Sequence, residues 1–313
     1  MRGDHFLDHD AETLASLGER LVAETRGRLE VLAEEIAPGR GARGVADDLA
    51  REHASASELV ALYRAEMERS RAFTLERGLA TFPDGEALTV LPTPEFAKLT
   101  SPYASYQAPA PYDREQRGFF FVTVPSENDH DALAGHNRFE LVPTAVHEGY
   151  PGHHLQLSWA NRHPSATRKQ LWSPAYAEGW ALYCEELFGE QGYYRDARER
   201  FAMVRGLLWR AARVVVDTGL HTGGLTFDSA VEYMVAHGLL DRPGAEAEVL
   251  RYTMVPAYQL CYQLGRLAIH ELRGEVRRRE GGRFDLRRFH DRLLATCTVP
   301  PALAAEEVLS ELP

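Results

Sequence analysis

The sequence is short of cysteine, of lysine and of long apolar runs, and each shortage excludes something. Three cysteines (Cys184, Cys261 and Cys297) lie far apart in 313 residues, with an odd total and no Cys-x-x-Cys pair. They fit neither a disulfide framework nor a thiolate metal site, and read as reduced core residues. No run of about 18 apolar residues occurs, so no membrane-spanning helix is expected. The opening MRGDHFLDHDAETL lacks the apolar stretch of a secretory signal, and the expected location is cytoplasmic. Basic residues are in deficit: Lys+Arg 35 against Asp+Glu 46 leaves a formal charge of −11, and only Lys98 and Lys169 are lysines. A field of that sign repels phosphate backbones and anionic surfaces, so neither nucleic acid nor membrane is an expected partner. Nothing in the sequence sets an oligomeric state.

What is present is enough apolar content, 44%, to bury a real core. From about Asp10 to Ile36 the residues Leu14, Leu17, Leu21, Val22, Leu29, Val31 and Leu32 recur at helical spacing, and Pro38-Gly39 stops the run. A second helix is expected from roughly Ala46 to Leu79, bent near Ser55–Ser57. Residues 1–80 therefore read as a scaffolding helical hairpin. Residues 81–313 read as the region that carries chemistry, the two forming one continuous fold. Between Phe82 and Asn137, Pro83, Pro92, Pro94, Pro109 and Pro111 forbid long helices, and β-type runs occupy Ala87–Leu91 and Phe119–Val124. A small sheet or hairpin is expected there, forming one wall of a cleft. Helices are then expected over Glu140–Ala160, Pro174–Phe188, Arg195–His221, Phe227–His237, Ala245–Arg278 and Arg287–Cys297. The fold class is mainly α with a small β insert.

Of 13 histidines, three fall within eight residues, in Thr144–Gln156 (TAVHEGYPGHHLQ). An apolar lead-in followed by His-Glu looks like the start of the HExxH zinc helix, in which histidines at i and i+4 share a face and the Glu is a general base. Here position i+4 from His147 is Pro151, which cannot ligate. On a regular helix His153 would sit about 120° around from His147, and His154 about 10 Å further along. Pro151-Gly152, however, breaks regular helix. A bulge of about two residues would return a histidine to the i+4 role, His153 more readily than His154. A further ligand is then needed. Downstream, in AEGWALYCEEL, Glu178 and Glu185 lie seven apart on one helical face, suited to a ligand plus a carboxylate that orients a histidine. Two histidines and one Glu leave a fourth position for water, the arrangement of a catalytic zinc; Fe2+ or Mn2+ accept the same donors.

HEGYPGHHLQ, EGWALYCEEL and RAARVVVDTGLH together resemble the bacterial domain-of-unknown-function family 885, over roughly residues 80–310. That family is regarded as related to HExxH metallopeptidases of the gluzincin kind. The resemblance implies a zincin-like helical architecture, with His147 and His153 as ligands, Glu148 as catalytic acid/base and Gln156 as a further motif residue. It also implies Glu178 as third ligand, with Glu185 close by. Relatives are considerably longer, and the segment Pro256–Tyr262 departs from their Pro-Gly-Gln-Ala-type run while keeping Tyr262.

Arg213, Asp217 and His221 follow i, i+4, i+8 along an otherwise apolar helix. They read either as a structural ion-pair ladder or as groups facing the cleft, with His221 or Arg213 binding substrate or transition-state charge. Tyr252, Tyr258 and Tyr262 are candidates to donate to an oxyanion, Tyr262 foremost. The expected function is a zinc-dependent hydrolase of a peptide or other amide bond. Its expected partner is a small peptide or small-molecule amide. The alternatives are a metal-dependent biosynthetic enzyme acting on a small non-peptide molecule, and a helical binding protein with a vestigial site.

Overall fold

The computed structural model describes residues 9–99, 101 and 103–312; the part of the N-terminal reading that concerns residues 1–8 lies outside them. Among the described residues 66% are helical and the strands form one three-stranded sheet, so the fold is mainly α with a small β insert.

Helix α1 (Ala11–Ile36) begins where Asp10 accepts a hydrogen bond from the Thr13 N–H, satisfying one of the free donors of the first turn. Its buried stripe of Leu14, Leu21, Val22 and Leu29 packs on α9 (Ala197–Thr222). The two approach closely at Gly18, where a Cβ would lie 2.7 Å from Val215 Cγ2. One apolar core runs from Leu21 through Trp180 and Val216 to Val308, so the N-terminal helix and the later helices share it. The second expected helix is two, α2 (Gly41–Ala50) and α3 (Leu59–Glu76). Between them the side chains of Ser55 and Glu58 reciprocally cap a short 3-10 turn.

The sheet comprises β1 (Glu86–Pro92), β2 (Ala104–Gln107) and β3 (Gln116–Val122) in the order β1-β3-β2. The two expected runs are neighbours, but they pair in parallel rather than as a hairpin, because the connection through β2 carries the chain back across. β2, not foreseen from its short ASYQ sequence, pairs antiparallel with β3 and forms the edge facing the cleft.

Beyond the sheet come α4 (His130–Ala134), α5 (Leu141–Glu148), α6 (His153–Ala160), α7 (Ala166–Gln170) and α8 (Pro174–Glu190). After α9 follow α10 (Phe227–His237), α11 (Arg242–Met254), α12 (Cys261–Glu280), α13 (Leu286–Ala295) and α14 (Pro301–Ser310). Two expected helices are broken. Glu140–Ala160 divides into α5 and α6 around Gly149–Gly152. Ala245–Arg278 divides at Val255–Leu260, where Ala257 takes a left-handed φ of 67°.

Helix α8 opens on a Ser173 cap with Pro174 in its first turn, and thirteen of its seventeen residues are buried. The carboxylates buried in it, Glu178 and Glu185, must find partners in the protein. Its crossing with α12 supplies some of them. A Cβ on Gly179 would lie 2.4 Å from Gly265 Cα, and one on Gly265 would lie 1.7 Å from the Ala175 carbonyl oxygen. Two glycines thus bring the backbones into contact, with the start of α12 beside Glu178.

Candidate metal centre

The centre is built on the interruption between α5 and α6. The Gly149 N–H still bonds to the Ala145 carbonyl four residues back, at 2.9 Å, but the Gly152 N–H reaches the Val146 carbonyl, six residues back, at 3.1 Å. Two extra residues are taken up in that turn, and His153 arrives where a regular helix would place i+4. Only glycine fits at 152, since a Cβ would lie 1.9 Å from the His147 carbonyl oxygen. Trp180 Nε1 donates to the Pro151 carbonyl at 2.8 Å, so the tryptophan of EGWALY braces the interruption in HEGYPGH.

The rings of His147 and His153 stand 4.8 Å apart and perpendicular, both buried. Nε2 of each lies 3.5 Å from Glu178 Oε2. The other Glu178 oxygen accepts from the Tyr258 hydroxyl at 2.7 Å, and Glu185 Oε1 lies 2.7 Å from His147 Nδ1. Glu148 also reaches the pair: one atom each from His147, Glu148 and His153 lie within 4.8 Å of one another. Two acids therefore compete for the place of third ligand. Glu178 fits it better, being equidistant from both imidazoles and anchored by Tyr258, whereas Glu148 is only half-buried and borders the cleft.

The donor set suits a divalent ion. In a tetrahedral site with bonds of about 2.1 Å, ligand atoms stand about 3.4 Å apart. The two Nε2–Oε2 separations, 3.5 Å, match that edge. The electrostatics agree. Burial disfavours charge on His147, but hydrogen bonds to Glu178 and Glu185 outweigh it and raise its pKa to about 9. Burial would likewise raise Glu178, yet its hydrogen bonds to His147 and His153 hold it well below the usual carboxylate range. Carboxylates so placed call for a cation, either a proton on the imidazole or a metal ion in its stead.

A cavity of about 840 Å³ opens onto this cluster. Tyr106 of β2, Glu148, and Trp209, Arg210 and Arg213 of α9 line it, with Tyr262 of α12. The Tyr262 ring stacks 6.3 Å from His147 and lies under the Arg213 guanidinium, at 4.8 Å.

His154, Gln156, Asp217, His221 and Tyr252 lie outside the cavity lining. His154 turns away from the ligand pair: its Nε2 meets Glu86 at 3.1 Å and its Nδ1 meets the Tyr106 hydroxyl at 3.0 Å. Gln156 donates to Thr298 at 2.8 Å and braces the C-terminal region. On α9 the Asp217–His221 rung of the ladder forms, with His221 Nδ1 3.6 Å from Asp217 Oδ1, but Arg213, which lines the cavity, does not join it. Arg213 pairs with Glu248 at 2.9 Å and takes the Tyr252 hydroxyl as acceptor at 3.0 Å, because α11 presents both on that side. Tyr252 is thereby a buried partner of an ion pair rather than an oxyanion donor. The Asp217 carboxylate accepts from the Ala257 N–H at 3.0 Å, holding the left-handed turn that precedes Tyr258. His221, at the exposed end of α9, bonds to the Asp217 carbonyl one turn back, outside the cavity lining. Tyr258, ranked below Tyr262, is the tyrosine that grips Glu178.

Residues 2–308 match the model of a family described as bacterial protein of unknown function, DUF885. The chain belongs to DUF885. Two solved structures share the fold of this DUF885 chain. One, from Colwellia psychrerythraea, has 25% identity and a TM-score of 0.87, and the match covers 99% of this chain and 53% of that one. The other, from Shewanella oneidensis, has 24% identity and a TM-score of 0.88, covering 98% of this chain and 58% of that one. Both are described as a "putative lipoprotein", the second "of unknown function". The chain thus spans a little over half the length of either. No curated protein matches it. No described helix is long and apolar enough to cross a membrane.

Three residues that frame the site in this DUF885 chain were not singled out from the sequence. Glu86, at the start of β1, gathers Arg71, Tyr150 and His154. Tyr106 stacks 6.5 Å from His153. Arg210 lies three residues before Arg213, and that spacing in an apolar helix was the one available signal that both guanidiniums share a face.

Proposed function

We propose that this chain is a metal-dependent hydrolase that cleaves a peptide or other amide bond. His147, His153 and Glu178 would hold a divalent ion, zinc in the first instance. The observation that carries this reading is the pair of 3.5 Å separations from Glu178 Oε2 to the two imidazole nitrogens, with His147 oriented from behind by Glu185. Such an ion, when bound, lowers the pKa of a water and polarises a carbonyl. Glu148 borders the cleft beside the ligands, where it accepts the proton of the attacking water and returns it to the departing amine nitrogen. Burial keeps the Tyr262 phenol protonated, so it can donate to the oxygen on which charge develops. Glu185 fixes the tautomer of His147 by accepting from Nδ1, leaving Nε2 as the lone-pair donor. A cavity of about 840 Å³ suits a small peptide or a small amide rather than a folded protein.

The test is turnover of a library of short peptides by zinc-loaded protein and by Glu148→Gln. The variant should keep its metal and lose about 100- to 10,000-fold in kcat. Unchanged turnover would remove Glu148 from the chemistry, and no cleavage by the wild-type protein would overturn the hydrolase assignment.

A further inference from the structure

The α9 wall of the cleft carries more hydrogen-bond donors than acceptors. Two of its three arginines are spoken for. Arg205 pairs with Glu140 and donates to the Leu239 carbonyl, and Arg213 pairs with Glu248 and Tyr252. Arg210 differs. Its Nη1 has only the Gly206 carbonyl at 3.3 Å, and its Nη2 stands 3.9 Å from Glu185 Oε1, which is already engaged by His147. Its Nε is buried without a partner, as are Nε of Arg205 and Nε1 of the neighbouring Trp209, but unlike Arg205, Arg210 has no carboxylate to pair with at hydrogen-bond distance. The guanidinium lies over the Trp209 ring at 4.8 Å and near the Tyr262 ring at 5.9 Å, which hold its plane in place. Space for it comes from Gly206, where a Cβ would approach Arg210 Nη1 to 3.0 Å. Among the described residues lining the cleft, Arg210 is the arginine with no carboxylate within hydrogen-bond distance.

We propose that Arg210 binds a carboxylate of the substrate, and that the substrate is a short peptide or N-acyl amino acid with a free carboxylate near the scissile bond. The chemistry follows from the guanidinium: planar, always charged and shaped for two parallel hydrogen bonds to a carboxylate. The position follows from Glu185, whose Oε1 is 2.7 Å from His147 Nδ1 and 3.9 Å from Arg210 Nη2. The bound carboxylate therefore lies within a few residues of the amide at the proposed metal ligands, at about 3.5 Å of chain per residue. The inference deepens the hydrolase reading and rests on it for the identity of the scissile bond, but not for the carboxylate preference.

The test is calorimetric binding of N-acetylated dipeptides and of their C-terminal amides to zinc-loaded Glu148→Gln protein, which separates recognition from cleavage. Free acids should bind about ten- to a hundredfold more tightly than amides. Arg210→Gln, made in the same background, should abolish that difference with zinc content unchanged, and Arg210→Lys should restore part of it. Equal binding of acid and amide, a preference that survives Arg210→Gln, or failure of any free acid to bind would each overturn the proposal. Loss of zinc from both Arg210 variants would also overturn it, marking Arg210 as a support for Glu185 instead. Failure of wild-type protein to cleave any peptide, alongside an intact acid preference, would sink the hydrolase reading alone.

Discussion

The two walls of the cleft hold their charges differently. On the wall formed by α5, α6 and α8, the clustered groups are braced: His147 by Glu185, Glu178 by Tyr258, and the turn between the histidines by Trp180. On the α9 wall, Arg213 is closed off by Glu248 and Tyr252, while Arg210 keeps a buried Nε with nothing to donate to. A braced set of donors at fixed separation is what holding a small ion requires, since a misplacement of an ångström costs affinity. An unsatisfied planar cation is what receiving an anionic ligand requires. Glu148, among the described residues, has no such brace and faces the open side of the cleft.

The contrast breaks most severely at Gly152. Gly152→Ala forces a Cβ against the His147 carbonyl and should destabilise the fold by about 3–5 kcal/mol, read as a fall in the denaturant midpoint together with loss of metal. A midpoint near wild type would show that the two-residue turn relaxes easily. Next come the braces themselves. Glu185→Gln and Tyr258→Phe should each weaken metal binding about 10- to 100-fold in competition with a chelator. Tyr258→Phe should change the melting temperature of the metal-free protein little, whereas Glu185→Gln should lower it by removing a partner of the charged His147. Equal affinity to wild type would mean that the ligands hold their geometry unaided.

A gentler perturbation is pH. The folded pKa of His147, about 9, lies above its ordinary value of 6.5. In the metal-free protein its contribution to stability is complete below pH 6.5 and is lost as pH rises through about 9. Melting temperature without metal should therefore fall over that window, and saturating zinc should flatten the slope. A slope unaffected by zinc would separate His147 from the ion. Smallest of all is His221→Ala, at the exposed end of α9, expected to change stability by no more than about 0.5 kcal/mol and to leave kcat unaltered. A tenfold loss of turnover would bring that end of the helix back into the site.

Much of the braced wall was legible in the sequence, because it depends on local spacing. The Pro-Gly pair signalled a wider turn, the turn selected His153 over His154, and a seven-residue interval put Glu178 and Glu185 on one face. The α9 wall was not legible in this way. Asp217 and His221 do meet on their shared helical face, yet Arg213 and Asp217 also take Glu248, Tyr252 and the Ala257 backbone as partners, which come from elements 30 or more residues away. Helical periodicity says which side chains are neighbours on one helix and nothing about what the next helix brings to them. The sheet taught the same lesson: two apolar runs were visible as strands, but their parallel pairing depends on the short edge strand between them.

The most direct test of the central claim is metal content of purified protein, measured by mass spectrometry after zinc loading and gel filtration. One zinc per chain is expected in wild type and in His154→Ala, with none retained by His147→Ala, His153→Ala or Glu178→Ala. Retention by His153→Ala with loss from His154→Ala would contradict it, as would a wild-type protein that cannot be loaded.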